Sequence, residues 1–156
     1  MKKRTNKFIL LIVSVLMLNV LLVYFLAKLF SPGSYIETKK YDINLSQEIL
    51  IKKIHRLKKI DSTLILPAKY NWNEGPRDKN DYWYHVFFYN KNDKLVLNCW
   101  VRSKSKFSST LAIVSIMDDK QNWRELEKNM GTEERNKVLA FFENRIINKL
   151  KSIPDK

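Results

Sequence analysis

From Phe8 to Ala27 the chain reads FILLIVSVLMLNVLLVYFLA, twenty positions without a charge and with only Ser14 and Asn19 as polar interruptions. A helix needs about 20 apolar residues to cross the hydrocarbon core of a bilayer. The pattern therefore predicts a membrane-spanning helix over 8–30, behind a basic tail of residues 1–7. The run is longer than the roughly 7–15 apolar residues of a cleaved signal peptide, and no A-x-A site follows it. A retained signal-anchor is expected. Lys2, Lys3, Arg4 and Lys7 precede the run, against Lys39 and Lys40 in the comparable stretch beyond it. That excess predicts a single-pass protein of the cell (inner) membrane, N-terminus cytoplasmic and C-terminal domain extracytoplasmic.

Beyond the apolar block, SPGSYIETKKYDIN carries the turn pair Pro32 and Gly33 and has no clear period, so 31–45 reads as a linker. Residues 46–156 follow as one domain. In LSQEILIKKIHRLKKI, Leu50, Ile54 and Leu57 form a stripe at helical spacing, with Ser46 as N-cap and Glu48 in the first turn. Leu45 and Leu50 can staple across that cap. Leu64 to Leu66 fits either a short strand or a buried loop. KYNWNEGPRDKND is rich in turn formers and predicts an exposed loop.

Tyr82–Tyr89 and Leu95–Arg102 flank NKNDK, two β-rich runs around a polar turn, which is a hairpin signature. Two-residue and four-residue loops give the same register. Phe88 then faces Leu97, Val86 faces Cys99 and Tyr84 faces Val101 on one side of the sheet. On the other side Phe87 faces Asn98, His85 faces Trp100 and Trp83 faces Arg102. STLAIVSIM is a third strand, and DKQNWRELEKNMG fits a short helix with Trp123, Leu126 and Met130 inward. A last helix, capped by Thr132 and opened by Glu133 and Glu134, is carried by Leu139, Phe142, Ile146 and Leu150. The fold class expected is α+β: helix, antiparallel meander of three or four strands, C-terminal helix. Both helices should pack on the face of Leu97, Cys99 and Val101.

Composition alters this picture little. The net charge of +13 suggests nucleic acid until it is divided: five positives lie in the first 30 residues, leaving 24 against 16 acids. Lys outnumbers Arg 22 to 7, so the excess reflects a lysine-rich composition, and the predicted compartment excludes DNA. One cysteine rules out an internal disulfide framework. His55 and His85 have no partner at metal-ligand spacing, and no glycine-rich phosphate loop is present. No cofactor, metal or catalytic residue is expected.

Two surfaces remain. Trp83, His85, Phe87, Tyr89, Trp100 and Arg102 share the sheet face away from the helices, and Trp, Tyr and Arg are enriched at protein interfaces. A second covering layer would explain the same aromatics as core. Lys52, Lys53, Arg56 and Lys59 on the first helix could meet anionic lipid, or form a solvated face. The function expected is a non-enzymatic, membrane-tethered domain recognising a protein partner, as in envelope assembly or immunity. The alternatives are a reader of anionic membrane surface through helix 46–60, and an enzyme or small-ligand binder built on Trp83, His85, Trp100 and Arg102.

Overall fold

The computed structural model describes residues 2–29, 39–78 and 81–154. Helix α1, Lys2–Leu29, belongs to one compact unit, and all other elements belong to a second that begins at Ile36. Side chains of α1 are described over 12–26, and every one of them is exposed. Asn19 satisfies its amide within the helix, Nδ2 donating to the Val15 carbonyl at 2.9 Å. Among the described residues no helix is long and apolar enough to cross a membrane; the uncharged run Phe8–Ala27 extends past 12–26 at both ends.

The second unit is α+β. It contains β1 (Lys39–Ile43), α2 (Gln47–Ile60), β2 (Tyr84–Asn90), β3 (Leu95–Ser105), β4 (Ser108–Met117) and β5 (Trp123–Glu125). A C-terminal helical stretch follows: α3 (Thr132–Phe142), a π-helical turn Glu143–Ile147, and α4 (Asn148–Ser152). The sheet is antiparallel throughout, ordered β1-β4-β3-β2, with β5 pairing the far end of β4 beside β1.

The β2–β3 hairpin has the register predicted from alternation, with Tyr84 opposite Val101, Val86 opposite Cys99 and Phe88 opposite Leu97. These residues, with Leu111, Ile113 and Ile116 of β4, meet Leu50, Ile54 and Leu57 of α2 and Val138, Phe142, Ile146 and Leu150 of the C-terminal helices in one buried cluster. Burying each such aliphatic or aromatic side chain contributes about 1.5–3 kcal/mol, and this face holds the domain together without a covalent staple. Ser46 caps α2, its Oγ accepting from the Ile49 N–H at 3.4 Å.

The sheet has five strands where three or four were expected. KKYDI, read as linker, is a strand because Tyr41 and Ile43 reach the core: Tyr41 packs on Phe142 with ring centroids 5.4 Å apart and donates to Glu143 Oε1 at 2.9 Å. DKQNWRELEKNMG does not form a helix. Asp118 Oδ1 accepts from the N–H groups of Lys120 and Asn122, both at 3.0 Å, and that turn feeds β5. Leu126 is buried as expected, but Trp123 stays 46% exposed. Leu64 ends a 3-10 turn, Ser62–Leu64, instead of forming a strand. Gly131, not Thr132, occupies the N-cap of α3.

Candidate functional site

Alternation along β2 and β3 puts His85, Phe87 and Tyr89 beside Val96, Asn98, Trp100 and Arg102 on the face away from the helices. The chain leaving α2 folds back over part of this face. A second 3-10 turn, Ala68–Tyr70, ends at Asn71 in the left-handed region, φ +46°, and delivers Trp72 to the sheet. Its ring lies 5.3 Å from Tyr70 and 5.2 Å from Phe87, and stacks on Trp123 at 5.4 Å with planes 25° apart. Tyr70, Val96 and Met117 are buried beneath, forming a second small core.

Beside this aromatic wall opens a groove of about 670 Å³, bordered by Trp72, Gly75, Arg77, His85, Asn98 and Trp123. Asn98 Nδ2 donates to Ser115 Oγ at 3.2 Å, while Asn98 Oδ1 is buried with no partner. Swapping the amide atoms exchanges which one is orphaned without removing the orphan. Trp100 Nε1 is likewise buried and unpaired. Each such atom costs about 1–3 kcal/mol, so this face carries a penalty that an apolar residue in place of Asn98 would avoid.

Gly75, Pro76 and Arg77 border one end of the groove. Gly75 and His85 exchange two backbone hydrogen bonds, at 3.0 and 2.9 Å. Gly75 holds φ +141°, which L side chains rarely adopt. Asp81 accepts from the N–H of Trp83 at 2.9 Å and of Arg77 at 3.1 Å, tying Arg77 to the residues that enter β2. Its Oδ2 lies 3.4 Å from His85 Nε2. Burial, with Arg77 nearby, pushes the His85 pKa down, and Asp81 opposes this only in part. The ring is therefore neutral at pH 7 and able both to donate and to accept.

The open side of β2 is sealed further along. Glu74 Oε1 accepts the Phe87 N–H at 2.8 Å, and Lys58 Nζ donates to the Phe87 carbonyl at 2.6 Å and to Glu74. An ion pair between buried Lys58 and half-buried Glu74 thus occupies the place of a neighbouring strand. Burial lowers the Lys58 pKa while Glu74 raises it.

Of the six residues singled out on this face, His85 and Trp100 are buried, Trp83, Phe87 and Tyr89 are half-buried, and Arg102 is exposed. The face is therefore not a bare platform: Trp72 covers Phe87, and Trp83 packs edge-on against Trp100 with centroids 4.1 Å apart. Arg102 lies over the Trp83 ring at 4.9 Å, as the register predicted. His85 and Phe87 line the groove; Trp83, Tyr89, Trp100 and Arg102 do not. Sequence reasoning missed Trp72, Arg77 and Trp123 as neighbours of the site. The available signal was Tyr70 and Trp72, two bulky aromatics in a loop otherwise rich in turn formers.

On α2, Lys52, Arg56 and Lys59 are exposed, and Lys52 pairs with Glu48 at 2.7 Å. Lys53 is only 7% exposed, which removes it from the solvent face on which it was placed. Lys52, Arg56 and Lys59 line, with Ile51 and His55, an open pocket of about 770 Å³ on α2, apart from the groove, which lies on the other side of the sheet.

Among the described residues, no group of three or more His, Cys, Asp or Glu is placed to hold a metal ion. Cys99 is fully buried on the helix side, opposite His85, and burial raises its thiol pKa far above the usual range, so the two do not form a nucleophile and base. Comparison with known protein families finds no family model that matches the chain, and comparison with curated proteins finds no match.

Proposed function

We propose that this is a single-pass, membrane-tethered protein whose α+β domain stands outside the cytoplasm and binds a protein partner in the groove beside Trp72. The observation that carries the binding reading is Asn98, a half-buried side chain bordering the groove whose amide oxygen has no partner beside aromatic walls. Natural domains pair nearly all buried polar groups, and rotation of the Asn98 side chain toward the groove would let a partner's backbone amide supply the missing bond. Arg77 and neutral His85 add polar contacts at one end, and Trp72, Phe87 and Trp123 offer the aromatic surface typical of interface centres.

The tether is supported by α1. Over 12–26 its large apolar side chains are between 42% and 68% exposed all round the helix, and a helix apolar on every side belongs in lipid or in a protein core. The basic tail orients it.

One observation favours a second reading. The groove's volume lies within the roughly 300–1,000 Å³ of small-molecule sites, and the Asp81–His85 contact borders it. That arrangement suits a small polar ligand.

A photo-crosslinking residue in place of Trp123, on the exposed rim, separates these readings in intact membranes of expressing cells. A discrete protein adduct, absent when the same residue replaces Lys120, supports partner binding. Absence of any protein adduct overturns it. Reporter fusions at Lys156 test orientation; activity of a cytoplasm-only reporter there would refute the extracytoplasmic placement.

A further inference from the structure

The two long edges of the sheet are treated differently. On β2, Gly75 takes both backbone groups of His85, and the Lys58–Glu74 pair takes those of Phe87. An ion pair that buries its lysine is an expensive way to close an edge. On β1 no described strand pairs with the second edge. Its guard is lysine, at Lys39 and Lys40, the usual deterrent to indiscriminate strand pairing.

The β1 sequence KKYDI is nevertheless complementary to itself. Lys40 and Asp42 lie on the same face and are exposed, while Tyr41 and Ile43 face the helices. In an antiparallel pair of two β1 strands centred on Tyr41, each Lys40 stands directly opposite the other copy's Asp42. Lys39 faces Ile43, and Tyr41 faces itself. Moving the centre to residue 40 opposes two lysines, and moving it to residue 42 opposes two aspartates. A parallel pair in register opposes like charges at both positions. A slip of one residue turns the apolar set to the wrong face. Opposite charges directly across a pair stabilise it and like charges destabilise it, so charge selects one register.

Asp42 can serve both neighbours. Its Oδ1 accepts from Thr110 Oγ1 at 2.7 Å, and its Oδ2 accepts from Lys104 Nζ. Each carboxylate oxygen retains a second acceptor position.

We infer that β1 is a homotypic docking edge: two copies of this chain join their sheets through antiparallel β1 strands centred on Tyr41, with reciprocal Lys40–Asp42 pairs. A five-residue edge makes a modest interface, and confinement of both copies to one membrane would raise their effective concentration. This inference is independent of the groove and of its ligand.

The test uses the full chain in detergent, with particle mass measured by light scattering across a concentration series. The wild type is expected to form a two-chain particle. Lys40→Asp, which sets an acid opposite each Asp42, should weaken dimerisation at least tenfold. Asp42→Lys should do the same from the other sign. Both positions are exposed, and cooperative thermal unfolding of each variant checks that the fold survives. Mixing the two variants sets a strand with acids at both positions against a strand with lysines at both, and should restore the two-chain particle. A dimer held by α1 instead would be indifferent to Lys40→Asp, and that result overturns the proposal. A wild type that stays single-chain at about 100 µM overturns it too. If Asp42→Lys fails to unfold cooperatively, mixing a Lys40→Cys chain with an Asp42→Cys chain gives the second measurement. Oxidation should yield a disulfide between the two chains and none in Lys40→Cys alone, and the reverse pattern contradicts the register.

Discussion

Lys58 reaches from α2 to the open side of β2 and donates to the Phe87 carbonyl at 2.6 Å, while its other partner, Glu74, accepts the Phe87 N–H. Removing Glu74 leaves Lys58 buried without its counter-ion, and removing Lys58 leaves a half-buried carboxylate and the Phe87 carbonyl without their donor. Lys58→Met is expected to destabilise the domain by about 3 kcal/mol, and the double change Lys58→Met with Glu74→Gln by less than the single one. Urea denaturation of the four-member cycle measures the coupling. A double variant less stable than the sum of the singles would contradict the arrangement.

Acid should weaken the fold through His85. Its pKa is lowered in the native state by burial and by Arg77, so the unfolded chain takes up the proton first. Stability from this group is complete above about pH 6.5, the unfolded value, and is lost as pH falls below it. The slope is up to about 1.4 kcal/mol per pH unit. His85→Gln should flatten the stability profile between roughly pH 5 and 7. An unchanged profile would mean that the ring protonates freely in the native state.

The Trp72–Trp123 stack should be visible in near-ultraviolet circular dichroism. Trp72→Ala removes it and uncovers Tyr70, Val96 and Met117, at a cost of about 2 kcal/mol for a half-buried indole. A thermal melt reads the stability and the spectrum reads the stack. Loss of stability without spectral change would place the covering role elsewhere.

Cys99 should be inert in the native domain. It is fully buried, and only the thiolate reacts. Labelling with a maleimide in native buffer is expected to be at least about a hundredfold slower than in urea, making the thiol a reporter of global opening.

Much of this fold is legible in the sequence, and its limits follow from range. The β2–β3 register follows from period-two alternation around a turn, so the facing of Tyr84, Val86 and Phe88 toward the helices and the Arg102–Trp83 contact come directly from spacing. β1 and β5 do not. Each is short, charged and marginal by itself, and becomes a strand only because β4 offers an edge. Trp123 reads as a buried helical position because periodicity cannot register that Asp118 caps a turn just before it. The groove depends on a loop folding back across the sheet to stack Trp72 on Trp123. That is a contact between residues 51 positions apart, and no local pattern encodes it. The orphaned Asn98 atom is invisible for the same reason.

The most direct test of the central claim is Asn98→Leu. If the amide is kept for a partner, replacing it with an apolar side chain of similar size removes an unsatisfied buried atom and gives up only the 3.2 Å bond to half-buried Ser115. The domain should then gain about 1 kcal/mol in urea denaturation, while the crosslink from position 123 to its partner in intact membranes falls at least tenfold. Increased stability with undiminished crosslinking would contradict the assignment of the groove as the binding site.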